Sequence, residues 1–189
     1  MTKPYISKEL IEKYRDINVE HEWWGYVTEN FTERMQSVGI SVKQILFSGF
    51  WSQGDGACFE GSISDWGKYL SSIGYDSPIL HDLGQYNWTL SWTHNGRYYH
   101  ENSIEFHDGV LIEDEFNPHD EDDLRHDVWK TYIDQYNFTN IYAEMLQNIR
   151  GHMKVLYREL EEEYNSLISD EAVCESIIAN NLLTEELEN

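Results

Sequence analysis

Cysteine, proline and cationic residues are scarce in this chain of 189 residues: two Cys, three Pro, and 13 Lys plus Arg against 35 Asp plus Glu. Each shortage excludes something. Cys58 and Cys174 stand far apart with no CxxC pair, so a disulfide framework or a cysteine-based zinc cluster is not expected, and a reducing cytosol fits. No Pro/Ser-rich stretch divides the chain. The formal net charge of −22 argues against direct contact with nucleic acid, whose phosphates need clustered cations. Anionic membrane is disfavoured for the same reason. Long apolar runs are missing too. The N-terminal MTKPYISKELIEKYRDI alternates charge with apolar residues, so neither a signal core nor a bilayer span is expected, and a cytoplasmic protein of a bacterial cell is.

What is present suffices for a core. Aromatic residues make up 14% of the chain, with seven Trp and 13 Tyr, and such side chains bury large areas. Ser7 is placed to cap a helix carrying Leu10, Ile11, Tyr14 and Ile17. Trp24, Val27, Phe31, Met35 and Val38 recur at spacings of three and four, which predicts a second helix stopped by Gly39. Val42 to Phe50 and Ala57 to Ile63 read as paired strands, and Ser64 as the cap of a short helix ended by Gly74. Tyr86, Trp88, Leu90 and Trp92 alternate with polar residues, the period of a half-buried strand. Asn95-Gly96 predicts a hairpin and Asp108-Gly109 a second turn, giving a meander through Val110 to Phe116. A short helix over 128–136 follows. A long one over 138–169 is predicted, with Gly151 inside it, then a last helix from Ser169. These elements predict one α+β domain over 1–189: helices to residue 40, an antiparallel sheet of about five strands with a short helix over 41–116, and an acidic loop and helices over 117–189.

Register decides the place of His100. A two-residue Asn-Gly loop pairs Trp92 with Tyr99 and sets His100 opposite Ser91. A three-residue loop with a bulge pairs Trp92 with Tyr98 and sets His100 beside Leu90. Both registers are open.

The stretch FSGFWSQGDGACFEGSI, residues 47–63, gathers four glycines, Asp55 and Cys58 among aromatics. The preferred reading is a tight hairpin: glycine permits close approach of backbone, Asp55 bonds local N–H groups, and Phe47, Phe50, Trp51 and Phe59 pack on either side. Gly54-Asp55-Gly56-Ala57-Cys58 also resembles the Asp-Gly-x-Cys segment of ovarian-tumour-type cysteine proteases, and Tyr99-His100 their base segment. That resemblance implies an alternative, a cysteine hydrolase with Cys58 as nucleophile, His100 as base and Asp55 or Asn102 in support.

No cofactor or metal site is favoured. The set His107, Asp108, His119, His126 and Asp127 with its neighbouring acids has no established ligand spacing. The acids themselves are the stronger signal. Glu113, Asp114, Glu115, Asp120, Glu121, Asp122 and Asp123 crowd one loop, and Glu159, Glu161, Glu162 and Glu163 line a helix on the face opposite Leu160, Tyr164 and Leu167. Like charges three or four apart weaken a helix by roughly 0.2–0.5 kcal/mol per pair, a cost that a cationic partner would offset. FSGFWSQGDGACFEG and YRELEEEYNSLISDEAV further resemble segments of an accessory-protein family of tailed phages, some members loosely labelled antitoxin-like. The resemblance implies a protein that binds and inhibits a basic host protein, such as a DNA mimic facing a defence nuclease, or an antitoxin neutralising a toxin. An apolar stripe left on the C-terminal helices would allow a homodimer.

Overall fold

The stretch Trp88-Thr89-Leu90-Ser91-Trp92 lies in a strand, and its alternate residues Trp88, Leu90 and Trp92 are buried, as a sheet with one covered face requires. The computed structural model describes residues 5–75, 88–110 and 138–183. The fold is α+β. In chain order the elements are α1 (Lys8–Lys13), α2 (Gly25–Ser37), β1 (Ile40–Phe47), β2 (Ala57–Ile63), α3 (Trp66–Ser72), β3 (Trp88–His94), β4 (Ile104–Val110), α4 (Phe138–Leu167) and α5 (Asp170–Ala179). The sheet order is β1-β2-β3-β4, with every neighbour antiparallel. No helix among the described residues is long and apolar enough to cross a membrane. Two units separate: Phe31–Tyr157 holds the sheet, and Met1–Asn30 with Arg158–Asn189 is helical.

In the sheet unit, register puts the core on one face. Ile45 faces Phe59, Val42 faces Gly61, and Trp92 lies between Gly61 and Phe106. Residues directly opposite share a face. A run of rings follows: Phe31 to Phe59 at 5.3 Å, Phe59 to Trp92 at 5.4 Å, and Trp92 to Phe106 at 6.0 Å. The Arg150 guanidinium of α4 caps the run, 5.2 Å from the Phe106 ring. α3 joins through Trp66, which stacks on Trp88 at 4.6 Å and donates Nε1–H to the Trp88 carbonyl at 3.0 Å. The Tyr69 hydroxyl donates to the Met145 carbonyl at 3.1 Å. Between Val42 and Gln44 the β1 register shifts by a bulge. Opposite it, a Cβ on Gly61 would lie 2.4 Å from the Ser41 carbonyl oxygen and 3.3 Å from Trp92 Cζ2. Only glycine lets the two backbones approach this closely.

Several expectations are corrected here. Four strands form the sheet among the described residues, not five; the predicted strand beyond Val110 and the predicted helix over 128–136 lie outside them. Asp108-Gly109 is no turn. β4 continues through it, pairing Asp108 with Leu90 and Gly109 with Thr89, because the ladder along β3 outweighs local turn preference. Asn95-Gly96 opens a loop over 95–103, longer than either hairpin expected, so His100 has neither predicted register. The loop is closed by the Asn95 N–H to the Ser103 carbonyl at 2.8 Å and by Asn95 Nδ2 to Glu105 Oε2 at 2.8 Å. The cap of α3 is Asp65, whose Oδ1 accepts the Lys68 N–H at 3.0 Å. Ser64 Oγ instead donates to the Gly39 carbonyl at 3.1 Å.

In the helical unit Ser7 caps α1, and Leu10 and Ile11 pack with Val173 and Ile177 of α5. The orphan carbonyls that end α4 receive side-chain donors. Asn18 Nδ2 reaches the Leu167 carbonyl at 2.9 Å, and Arg15 Nη1 reaches the Ile168 carbonyl at 2.9 Å and Asp170 Oδ1 at 2.5 Å. Ser169 then caps α5 through the Ala172 N–H at 3.3 Å.

Two glycines of the sheet unit predict opposite outcomes. Gly61→Ala forces its methyl into the Ser41 carbonyl and should cost about 1–3 kcal/mol. Gly151→Ala meets nothing within 4 Å, inside a continuous α4, and should add about 0.5–1 kcal/mol. Urea denaturation of both variants reads the difference. His152 gives a pH dependence. Desolvation, and then the Arg34 charge, hold its pKa below the ordinary 6.5. The unfolded chain therefore takes up a proton that the folded one resists, so stability falls as pH drops below about 6.5. Replacing His152 by Gln should flatten the melting temperature against pH in that range.

Candidate functional site

The turn joining β1 to β2 is closed from within. Asp55 Oδ2 accepts the backbone N–H groups of Trp51 at 3.0 Å and Ser52 at 2.6 Å. The Ser48 N–H donates to the Gly56 carbonyl at 3.0 Å, and the Gly56 N–H to Ser48 Oγ at 3.2 Å. The 95–103 loop lies against this turn. A Cβ on Gly54 would come within 2.7 Å of the Tyr98 ring, and one on Gly56 within 2.8 Å of the Tyr99 carbonyl and 3.0 Å of His100 Nδ1. The glycines of this motif leave room for a neighbouring loop, as the hairpin reading expects. Trp51 and Tyr98, at the two loop tips, are 67% and 47% exposed. Trp51 nonetheless packs edge-on against Phe50, ring centroids 6.4 Å apart.

The alternative catalytic set sits on this frame. Cys58 lies in β2 opposite Leu46 and is fully buried. Burial, and then the Glu60 carboxylate, push its thiol up to about 12. A nucleophilic cysteine needs its thiolate and access to solvent, and Cys58 has neither. The Asp55 carboxylate is engaged with the turn's own N–H groups. His100 is half-buried, its ring 6.1 Å from that of Tyr98. Among the described residues no hydrogen bond joins Cys58 to His100 or Asp55. This is the geometry of packing.

Over the full sequence the two units carry equal charge: residues 31–157 hold 19 acids and eight Lys or Arg, and the rest of the chain 16 and five. Over the described residues the sheet unit has eight acids and six Lys or Arg, while the helical unit has thirteen acids and four. The described acids of the sheet unit are mostly held: Glu60 by Lys43, Asp65 by Lys68, Glu101 by Lys154, Glu144 by the Tyr75 hydroxyl and Glu105 by Asn95. In the helical unit Glu12 and Asp170 share Arg15, and Glu159 engages a neighbour. The carboxylates of the other ten, with Glu161, Glu162 and Glu163 among them, make neither hydrogen bond nor ion pair among the described residues. Glu162 points to solvent, whereas Glu159, Glu161 and Glu163 are half-buried on the flanks of the Leu160 stripe. The predicted fully opposite face belongs to Glu162 alone, since a step of three residues from Leu160 returns Glu163 towards the same side. Glu113, Asp114, Glu115, Asp120, Glu121, Asp122 and Asp123 lie outside the described residues, as does most of the set weighed for metal. Among the described residues no three His, Cys, Asp or Glu side chains converge on one point.

One comparison reaches across both units. The chain belongs to the family described as Domain of unknown function (DUF8835). The DUF8835 match runs over residues 23–170, so it takes in the entire sheet unit and α4, and leaves α1 and nearly all of α5 outside. No curated protein and no solved structure matches the chain.

The two cysteines provide a check on the site. Cys174 is partly exposed and Cys58 is buried. A thiol reagent at neutral pH should modify one thiol per native chain and two in urea. Two fast thiols in the native protein would return Cys58 to the list of candidate nucleophiles.

Proposed function

We propose that this protein is a binder of a basic protein surface, and that the helical unit carries the contact. The observation behind the reading is the ten carboxylates of that unit that make no hydrogen bond or ion pair among the described residues. Unpaired surface acids repel one another, and a cationic partner removes that repulsion on docking. Duplex DNA carries one charge per about 1.7 Å, so a helix rich in carboxylates offers a cationic groove a comparable field. The resemblance to phage accessory proteins adds the finer reading, inhibition of a host protein that handles nucleic acid. A buried Cys58 with a raised pKa favours binding over hydrolysis as the class of function.

Charge neutralisation tests this without unfolding. Glu163→Gln removes an i,i+4 repulsion with Glu159 and should raise stability by about 0.2–0.5 kcal/mol. The triple variant E161Q/E162Q/E163Q should nevertheless hold its partner less well. Protein immobilised at low salt and exposed to a bacterial lysate should capture basic proteins, released as sodium chloride is raised to about 0.5 M. The triple variant should release them earlier, and Glu33→Gln in the sheet unit should not. Capture that ignores both salt and the triple variant would sink the reading.

A further inference from the structure

The helical unit also contains a groove. It runs between the Tyr5–Ile6 segment and α5 and has a volume of about 540 Å³. Its α5 wall carries Glu171, Cys174, Glu175 and Ile178, at spacings that share one helical face. The other wall is Tyr5 and Ile6. The chemistry of the lining is mixed. Tyr5 is 90% and Ile178 36% exposed, while Ile6 and Cys174 are partly buried against the α1–α5 core. The charged rim is entirely anionic: Asp170, held by Arg15, and Glu171 and Glu175, which have no partner among the described residues. Among the described residues no cation lines the groove.

Charge decides what can occupy it. A second copy would bring the same carboxylates against themselves. Nucleic acid and anionic lipid are repelled. Free cations have no use for the apolar wall. A polypeptide segment with an apolar side chain between lysines or arginines satisfies both parts, burying the side chain against Ile6, Cys174 and Ile178 while its cations meet Glu171 and Glu175. We propose that this groove is the anchor point for such a cationic segment of a protein partner. The inference rests on the polyanion reading above and deepens it: the field of the helical unit gathers the partner, and the groove selects it by shape. Buried apolar anchors surrounded by polar contacts carry most of the energy of ordinary protein interfaces.

Cys174 supplies a local reporter, because Cys58 is buried. The probes are a short lysine-rich peptide with one central leucine and the same peptide with serine in place of leucine. Binding is read by fluorescence anisotropy, and occupancy of the groove by the rate at which an uncharged thiol reagent modifies Cys174. The leucine peptide should bind about tenfold tighter than the serine peptide and slow Cys174 modification. Ile178→Ser should remove that tenfold advantage, and Glu171→Gln with Glu175→Gln should weaken both peptides. Circular dichroism of each variant confirms that α5 remains folded. Equal, salt-sensitive binding of both peptides with Cys174 unprotected would overturn the groove and leave the polyanion reading standing. No binding of either peptide at low salt would overturn both.

Discussion

The sheet unit depends on how closely β1 crosses β2 at Gly61. The Ser41 carbonyl stands where a side chain would be, and the bulge in β1 fits only against that bare backbone. Trp92, directly across on β3, lays its indole edge over the same glycine. From there the rings of Phe59, Phe31 and Phe106 assemble in contact. The arrangement leaves Trp92 Nε1–H without a hydrogen-bond partner among the described residues. An unmet buried donor costs about 1–3 kcal/mol. Burying an indole of 150–250 Å² returns roughly 4–6 kcal/mol, so apolar contact wins and the polar cost is tolerated.

Much of this fold was legible in the sequence where a period is long and one-sided. The apolar spacing through Ile141, Met145, Ile149 and Met153 gave α4, and these residues are buried. Trp88, Leu90 and Trp92 gave β3. Short-range signals failed where distant partners compete with them. Asp108-Gly109 carries a turn preference, but β3 offers it a ladder, and ladder bonds win. Ser64 and Asp65 are both capping residues, and the choice between them is made by the Gly39 carbonyl, 25 positions away. In the candidate site, the role of Asp55 was readable because its partners lie three and four residues off. The burial of Cys58 was not, since a small residue in a strand bounded by glycines looks the same whether it faces a cleft or a packed layer. Counting acids located the charge. It could not tell which carboxylates are partnered, as that depends on cations remote in sequence, such as Lys154 on Glu101.

The helical unit manages its charge by a division of labour. The corner between α4 and α5 is fixed by hydrogen bonds from Arg15 and Asn18 to backbone carbonyls and by an apolar patch from α1. Of the surrounding carboxylates only Glu12 and Asp170, which hold Arg15, take part among the described residues. Glu161, Glu162 and Glu163 of α4 and Glu171 and Glu175 of α5 make no side-chain bond among the described residues, and the field they generate is available to whatever approaches. Among the described residues of the sheet unit most acids are instead drawn into bonds that tie loops and helices down.

The stacked pair of Trp66 and Trp88 has a consequence outside stability. Two indoles 4.6 Å apart and 24° from parallel couple their electronic transitions, and the chirality of the pair gives the folded chain an optical signature of its own. Because one ring belongs to α3 and the other to β3, that signal survives only while helix and strand remain docked, and the protein thereby carries an intrinsic spectroscopic gauge of its native packing.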